Sequence, residues 1–158
     1  MKKFLLAAFL TIASLGTVNA QQGTLNGGFN IGLPTGDTSN VSSFTIGGEL
    51  NYMIPVAENV TLGPSVQYSY YAGKDDFDGI SVLPISGAVR FNISEMFVLG
   101  ANLGYAVGLS DGIDGGFYYR PVLGYKIGDT TQLNLSYSGI TNDGLEINNV
   151  AIGVMFGI

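Results

Sequence analysis

Cysteine and histidine are both absent from the 158-residue chain. Their absence excludes the usual zinc sites, Ser-His-Asp and Cys-His nucleophiles, and histidine general bases. Carboxylate-only acid–base chemistry remains open, yet the sequence reads as a non-enzyme, with no cofactor and no metal site assigned. Missing cysteines also exclude disulfides and a cysteine-linked lipid anchor. A chain without them must draw its stability from backbone pairing and from its surroundings.

Charge is scarce as well. Charged residues make up 11% of the chain, against about 25% in soluble domains, and such a chain is poorly equipped to cover itself in water. Only 6 are Lys or Arg against 12 Asp or Glu, for a net charge of −6. No basic patch is available for phosphate, which argues against a nucleic-acid partner. Beyond the N-terminal segment no apolar run reaches the roughly 18 residues of a spanning helix, so a closed barrel is the membrane-crossing solution left.

The N-terminal segment itself reads as a secretory signal. Lys2 and Lys3 form its basic start, Phe4–Leu15 its apolar centre, and Val18-Asn19-Ala20 a small-residue cleavage site. Cleavage is predicted after Ala20, which leaves Gln21–Ile158 as one domain.

What the sequence has in plenty is glycine, 24 residues, and strict alternation. The stretch Asn149–Ile158 puts Val150, Ile152, Val154, Phe156 and Ile158 on one side of an extended strand, opposite Ala151, Gly153, Met155 and Gly157. A terminal strand with one large apolar face and an open edge invites aggregation, so it is predicted to pair with the first strand and close a barrel. The same design repeats upstream, at about Leu25–Leu33, Phe44–Met53, Val60–Tyr71, Val82–Ile93, Phe97–Leu109, Phe117–Ile127 and Gln132–Ser138. Pro84 stands near the start of the fourth strand, where an end or a bulge tolerates it, and Pro121 inside the sixth predicts a bulge. Gly27-Gly28 and Gly47-Gly48 lie within strands, where they relieve crowding and permit curvature.

Short connections at Pro55–Asn59, Ser94–Met96 and Asp129–Thr131 alternate with longer ones at Pro34–Ser43, Ala72–Ser81, Ser110–Gly116 and Ile140–Ile147. Strands of roughly 9 to 11 residues match the length a tilted strand needs to cross a bilayer. The fold class predicted is therefore all-β: an eight-stranded antiparallel up-and-down transmembrane β-barrel.

Alternation alone leaves open which face is outside. The polar face is mostly Gly, Ala, Ser and Asn, which suits a narrow filled interior. Outward aromatics form two girdles, Phe44, Tyr68, Tyr70, Phe117, Tyr119 and Tyr137 toward the long loops, and Tyr52, Phe91, Phe97, Tyr125 and Phe156 toward the short turns. Phe29 and Tyr105 read as mid-strand.

The C-terminal residues Gly153-Val154-Met155-Phe156-Gly157-Ile158 resemble the assembly signal of bacterial outer-membrane proteins, with Gly153, Phe156 and Ile158 at its glycine, aromatic and terminal hydrophobic positions. Ala151 stands where that signal usually has a polar residue. Over Gln21–Ile158 the pattern resembles the small eight-stranded outer-membrane barrels of the OmpX and OmpA-transmembrane type, the outer membrane protein beta-barrel domains. The resemblance implies an outer-membrane location, outer-membrane lipids and the assembly machinery as partners, and a non-enzymatic envelope-structural or surface-interaction role, since barrel enzymes of that membrane rely on histidine. Two alternatives stand beside it: a narrow channel for small solutes or ions, and a soluble exported barrel binding an apolar ligand inside.

Glu49, Arg90, Arg120 and Lys126 share the inward parity and form a lumen charge cluster, in which Glu49 is expected to pair with Arg90 or Lys126. The bland reading is a structural plug; the functional one is an ion gate that favours anions, since cations outnumber anions. The loops hold Asp37, Asp75, Asp76, Asp78, Asp111, Asp114, Asp143 and Glu146 against Lys74. These acidic residues form a solvated rim or a surface for an external partner. Asp75, Asp76 and Asp78 are close enough in sequence to suggest a divalent cation, but the later glutamate of an EF-hand is missing.

Overall fold

The computed structural model describes residues 23–158; the predicted signal, residues 1–20, lies outside them. Alternation resolves into eight strands: β1 Thr24–Thr35, β2 Ser42–Ala57, β3 Val60–Gly73, β4 Ile80–Asn92, β5 Phe97–Gly108, β6 Gly116–Lys126, β7 Thr131–Asn142 and β8 Leu145–Gly157. A four-residue helix, α1 Thr38–Val41, lies between β1 and β2. Each strand pairs antiparallel with its sequence neighbour, and β8 returns to β1 from Asn26↔Gly157 to Thr35↔Asn148. The barrel is closed, and closure removes the edge that a terminal apolar strand would otherwise expose.

Register fixes the shape. Paired residues followed once around the barrel run Pro55, Thr61, Arg90, Gly100, Val122, Ser136, Ala151, Gly32 and Thr45, returning to β2 ten positions from the start. Eight strands with that shear tilt by about 40° and enclose a backbone cylinder of about 8 Å radius, given ordinary strand rise and spacing. That interior is just wide enough for side chains to fill.

The side-chain faces follow the predicted parity. Phe29 (64% exposed), Ile152 (63%) and Leu103 (56%) stand outward, while Thr45, Glu49, Asn51, Ser65, Gln67, Asn102 and Ser136 are buried inside. The apolar interior of a ligand-holding barrel is not what the structure has: apolar side chains coat the exterior, and the middle of the lumen holds amides, hydroxyls and ions. Aromatics meet at both ends: Phe117, Tyr119 and Tyr137 form a chain of rings at the long-loop end, and Phe97 packs on Tyr125 with centroids 5.2 Å apart at the other. Tyr105 belongs with the first group and not at mid-strand. It pairs with Phe117 and its hydroxyl donates to the Asp114 carbonyl of the following loop at 3.2 Å.

Three local predictions need correction. The β7–β8 connection is a two-residue turn, Asp143-Gly144, with positive φ at both positions (26° and 95°); an Asp-Gly pair suits that tight hairpin geometry, and the strands run on to its edges. Pro121 creates no bulge, since β6 keeps one register against both neighbours. Instead the β6–β7 ladder skips the pairs at Arg120 and Pro121, where the missing proline N–H would have donated. Pro84 is treated the same way, with the β3–β4 ladder interrupted opposite Gln67 and Tyr68. The bulges that do occur lie at the two ends of β2, between Ser42 and Phe44 and between Pro55 and Ala57.

One feature of the interior is apolar. Tyr71, Val82, Ala106, Tyr118, Ile140 and Ile147 form a buried cluster inside the barrel at the long-loop end, with Ile80 and Ile113 packed on it. The lumen is closed there by a small hydrophobic core.

Candidate functional site

Below that core, half-way along the strands, the lumen is filled by a hydrogen-bonded network centred on Glu49. β2 carries the carboxylate inward from mid-strand, and it is 3% exposed. Its Oε2 forms an ion pair with Arg120 Nη1 from β6, on the far side of the barrel. Oε1 accepts from Ser65 Oγ at 3.0 Å, from Asn51 Nδ2 at 3.1 Å and from Asn102 Nδ2 at 3.5 Å, and Arg90 Nη2 lies 3.8 Å from it. Arg120 Nη1 also donates to Gln67 Oε1 at 3.0 Å, where the Tyr118 hydroxyl donates too, at 3.1 Å. Charge buried at this depth is tolerable because it is paired and its remaining lone pairs are used.

Small residues make the room. Arg90 lies across Gly100 of the neighbouring strand, where a Cβ would fall 2.9 Å from Nη1. Its Nη1 donates to the carbonyls of Val89 and Ala101 at 2.9 and 3.2 Å. The small face of β5 is thus occupied by a guanidinium from β4.

Of the four lumen charges read from the sequence, three meet: Glu49, Arg90 and Arg120. Lys126 does not join them. It sits near the short-turn end, where Nζ donates to Asn92 Oδ1 at 2.7 Å, because its place at the end of β6 is two inward steps beyond Val122. The pairing of Glu49 with Lys126 is therefore corrected to one with Arg120, supported by Arg90. Sequence reading missed Gln67, Ser65, Asn102 and Tyr118 as network members; their inward parity was the available signal.

The barrel has a hollow at each end. At the short-turn end a cavity of about 300 Å³ reaches up to Asn51 and Arg90. At the long-loop end a hollow of about 650 Å³ is lined by Asp37, Asp143 and Glu146 with Thr38 and Ile147. Asp75, Asp76 and Asp78 are exposed on the β3–β4 loop, and among the described residues no three acidic groups converge to hold a metal ion.

The predicted assembly residues lie along the closing strand. Gly153 faces the lumen so close to β1 that a Cβ would stand 2.7 Å from the Phe29 carbonyl. Phe156 faces outward with its ring 6.4 Å from that of Phe29. Ile158 N–H donates to the Leu25 carbonyl at 2.8 Å.

No family model matches the sequence, and neither does any curated protein. Solved structures do resemble the barrel. Ail, the attachment invasion locus protein of Yersinia pestis, superposes with a TM-score of 0.64 at 14% identity, covering 86% of this chain and 97% of that one. A de novo designed transmembrane β-barrel gives 0.60 at 17% identity, with 89% and 100% covered. The N-terminal barrel domain of Pseudomonas aeruginosa OprF gives 0.56 at 14% identity, with 87% and 98% covered. At these identities the likeness is one of fold, and the chain has the architecture of the small eight-stranded outer-membrane barrels.

Proposed function

We propose that this chain is an integral outer-membrane barrel with a non-enzymatic envelope-structural or surface-interaction role. The observation that carries the reading is a closed barrel coated in apolar side chains whose lumen is shut twice, by the Glu49–Arg120 network and by the Tyr118–Ile140–Ile147 core. An uninterrupted apolar exterior is costly in water and suited to lipid. In this reading residues 1–20 are removed on export, residues 21–158 form the single barrel domain, and the assembly machinery engages the closing strand. The acidic long loops then face outward as the surface available to an external partner. Two stacked obstructions support a scaffold in preference to a channel.

The test is to refold Gln21–Ile158 with and without detergent micelles, compare boiled and unboiled samples on a denaturing gel, and record planar-bilayer currents. A heat-modifiable β-rich species formed only with detergent, and silent in the bilayer, is the expected result. Folding in plain buffer would overturn the membrane assignment; steady single-channel currents would overturn the non-conducting role.

A further inference from the structure

Strand parity sends three cations and one carboxylate into the lumen among the described residues: Arg90, Arg120 and Lys126 against Glu49. Glu49 is claimed from both sides by the two arginines. Lys126 is left with a neutral partner, the Asn92 carboxamide oxygen, which takes one of its three protons, and among the described residues no carboxylate lies within ion-pairing distance of it. Lys126, Asn92 and Arg90 line one cavity, the 300 Å³ vestibule open at the short-turn end, with Gln132 and Asn134 contributing further carboxamides. Asp129 and the last residue, Ile158, stand on the same wall, and neither forms an ion pair with Lys126.

Three cations against one carboxylate leave positive charge in the lumen that Glu49 alone does not neutralise. A small anion entering the vestibule would offset it, and the lining suits an oxyanion: an ammonium and a guanidinium around a space of a few hundred Å³, with the Gln132 amide donating to Asn134 Oδ1 at 2.6 Å beside them. We infer that the short-turn vestibule is a binding site for a small oxyanion, a phosphate or carboxylate group, held by Lys126 and Arg90. The site lies on the side of the barrel where β1 begins and β8 ends, below the Glu49 network, and it needs no passage through the lumen.

The unmodified protein provides the first readout. In detergent micelles, acylation of lysines by an amine-reactive reagent is followed by mass spectrometry in inorganic phosphate, in acetate, or in sodium chloride at matched ionic strength. Lys126 is expected to be protected several-fold and saturably by phosphate or by acetate, which distinguishes the two oxyanion classes, while exposed Lys74 reacts at the same rate throughout. The second readout is thermal unfolding. The protective oxyanion should raise the midpoint above the chloride control, Lys126→Arg should keep that shift, and Lys126→Met should lose it, with about a tenfold weaker dissociation constant. Equal slowing of both lysines, protection no greater than in chloride, or an undiminished shift in Lys126→Met would overturn the site.

Discussion

Arg120 on β6 and Glu49 on β2 stand 71 positions apart in sequence and are ion-paired across the middle of the barrel. Each is held by further side chains, so neither can turn to water when the other is lost. Glu49→Ala leaves two guanidinium groups facing each other at depth, and a loss of about 3–5 kcal/mol of unfolding free energy follows. Urea titration of the folded barrel in micelles measures it. A double-mutant cycle with Arg120→Ala should recover part of the loss, since the second change removes a stranded charge.

Glycines on the two faces of β4 and β5 should behave oppositely. A Cβ at Gly104 would stand 2.6 Å from Ser86 Cα, whereas one at Gly87 would meet nothing nearer than 4.0 Å. Gly104→Ala is expected to cost about 1–3 kcal/mol through overpacking. Gly87→Ala should be neutral or slightly stabilising, because the strand loses less backbone freedom on folding. Equal effects in the same titration would contradict the assigned faces.

The Asp143-Gly144 turn makes a conformational prediction. Gly144 has φ of 95°, a region that L side chains enter at a cost of about 1–2 kcal/mol. Gly144→Ala should lower the unfolding midpoint accordingly although no neighbour lies within 4 Å of its Cβ position. Asp143→Gly should leave it nearly unchanged.

Outward positions should report depth. Ile152, 63% exposed half-way along β8, is expected to lose about 2–4 kcal/mol on substitution by arginine in lipid vesicles. Val56, 58% exposed at the short-turn end of β2, should lose about 0–1 kcal/mol on the same change, because the guanidinium reaches the interface. The difference should vanish if water surrounds both sites.

Strand number, face parity and closure were legible because a side-chain period of two is independent of partners. The identity of the Glu49 partner was not. Parity places Arg90, Arg120 and Lys126 all inward, but their heights depend on shear, which a sequence does not print. Tyr71, Ile140 and Ile147 were missed as a lumen core for a related reason. They continue the inward series that Ser69, Ser138 and Asn149 begin, yet Ile140 and Ile147, as apolar residues next to turn formers, resemble loop, and Tyr71 is the last residue of the predicted third strand. Had Ser138 been extended by two to Ile140, and Asn149 back by two to Ile147, the tight Asp143-Gly144 hairpin would have followed. Pro121 misled because a bulge is one way to lose a ladder hydrogen bond; the barrel simply leaves it out.

The seam between β1 and β8 has a kinetic meaning. It joins residues separated by nearly the whole described chain, from Asn26↔Gly157 to Thr35↔Asn148, while the other seven seams each join strands adjacent in sequence. Hairpins can therefore form early and locally, but the tour around the cylinder is completed by one long-range encounter, whose entropic cost grows with the intervening chain. Until it occurs, two unpaired edges are on offer to any other strand. The slowest phase of folding should accordingly track changes along β1 and β8, and strengthening an internal hairpin should leave that phase untouched.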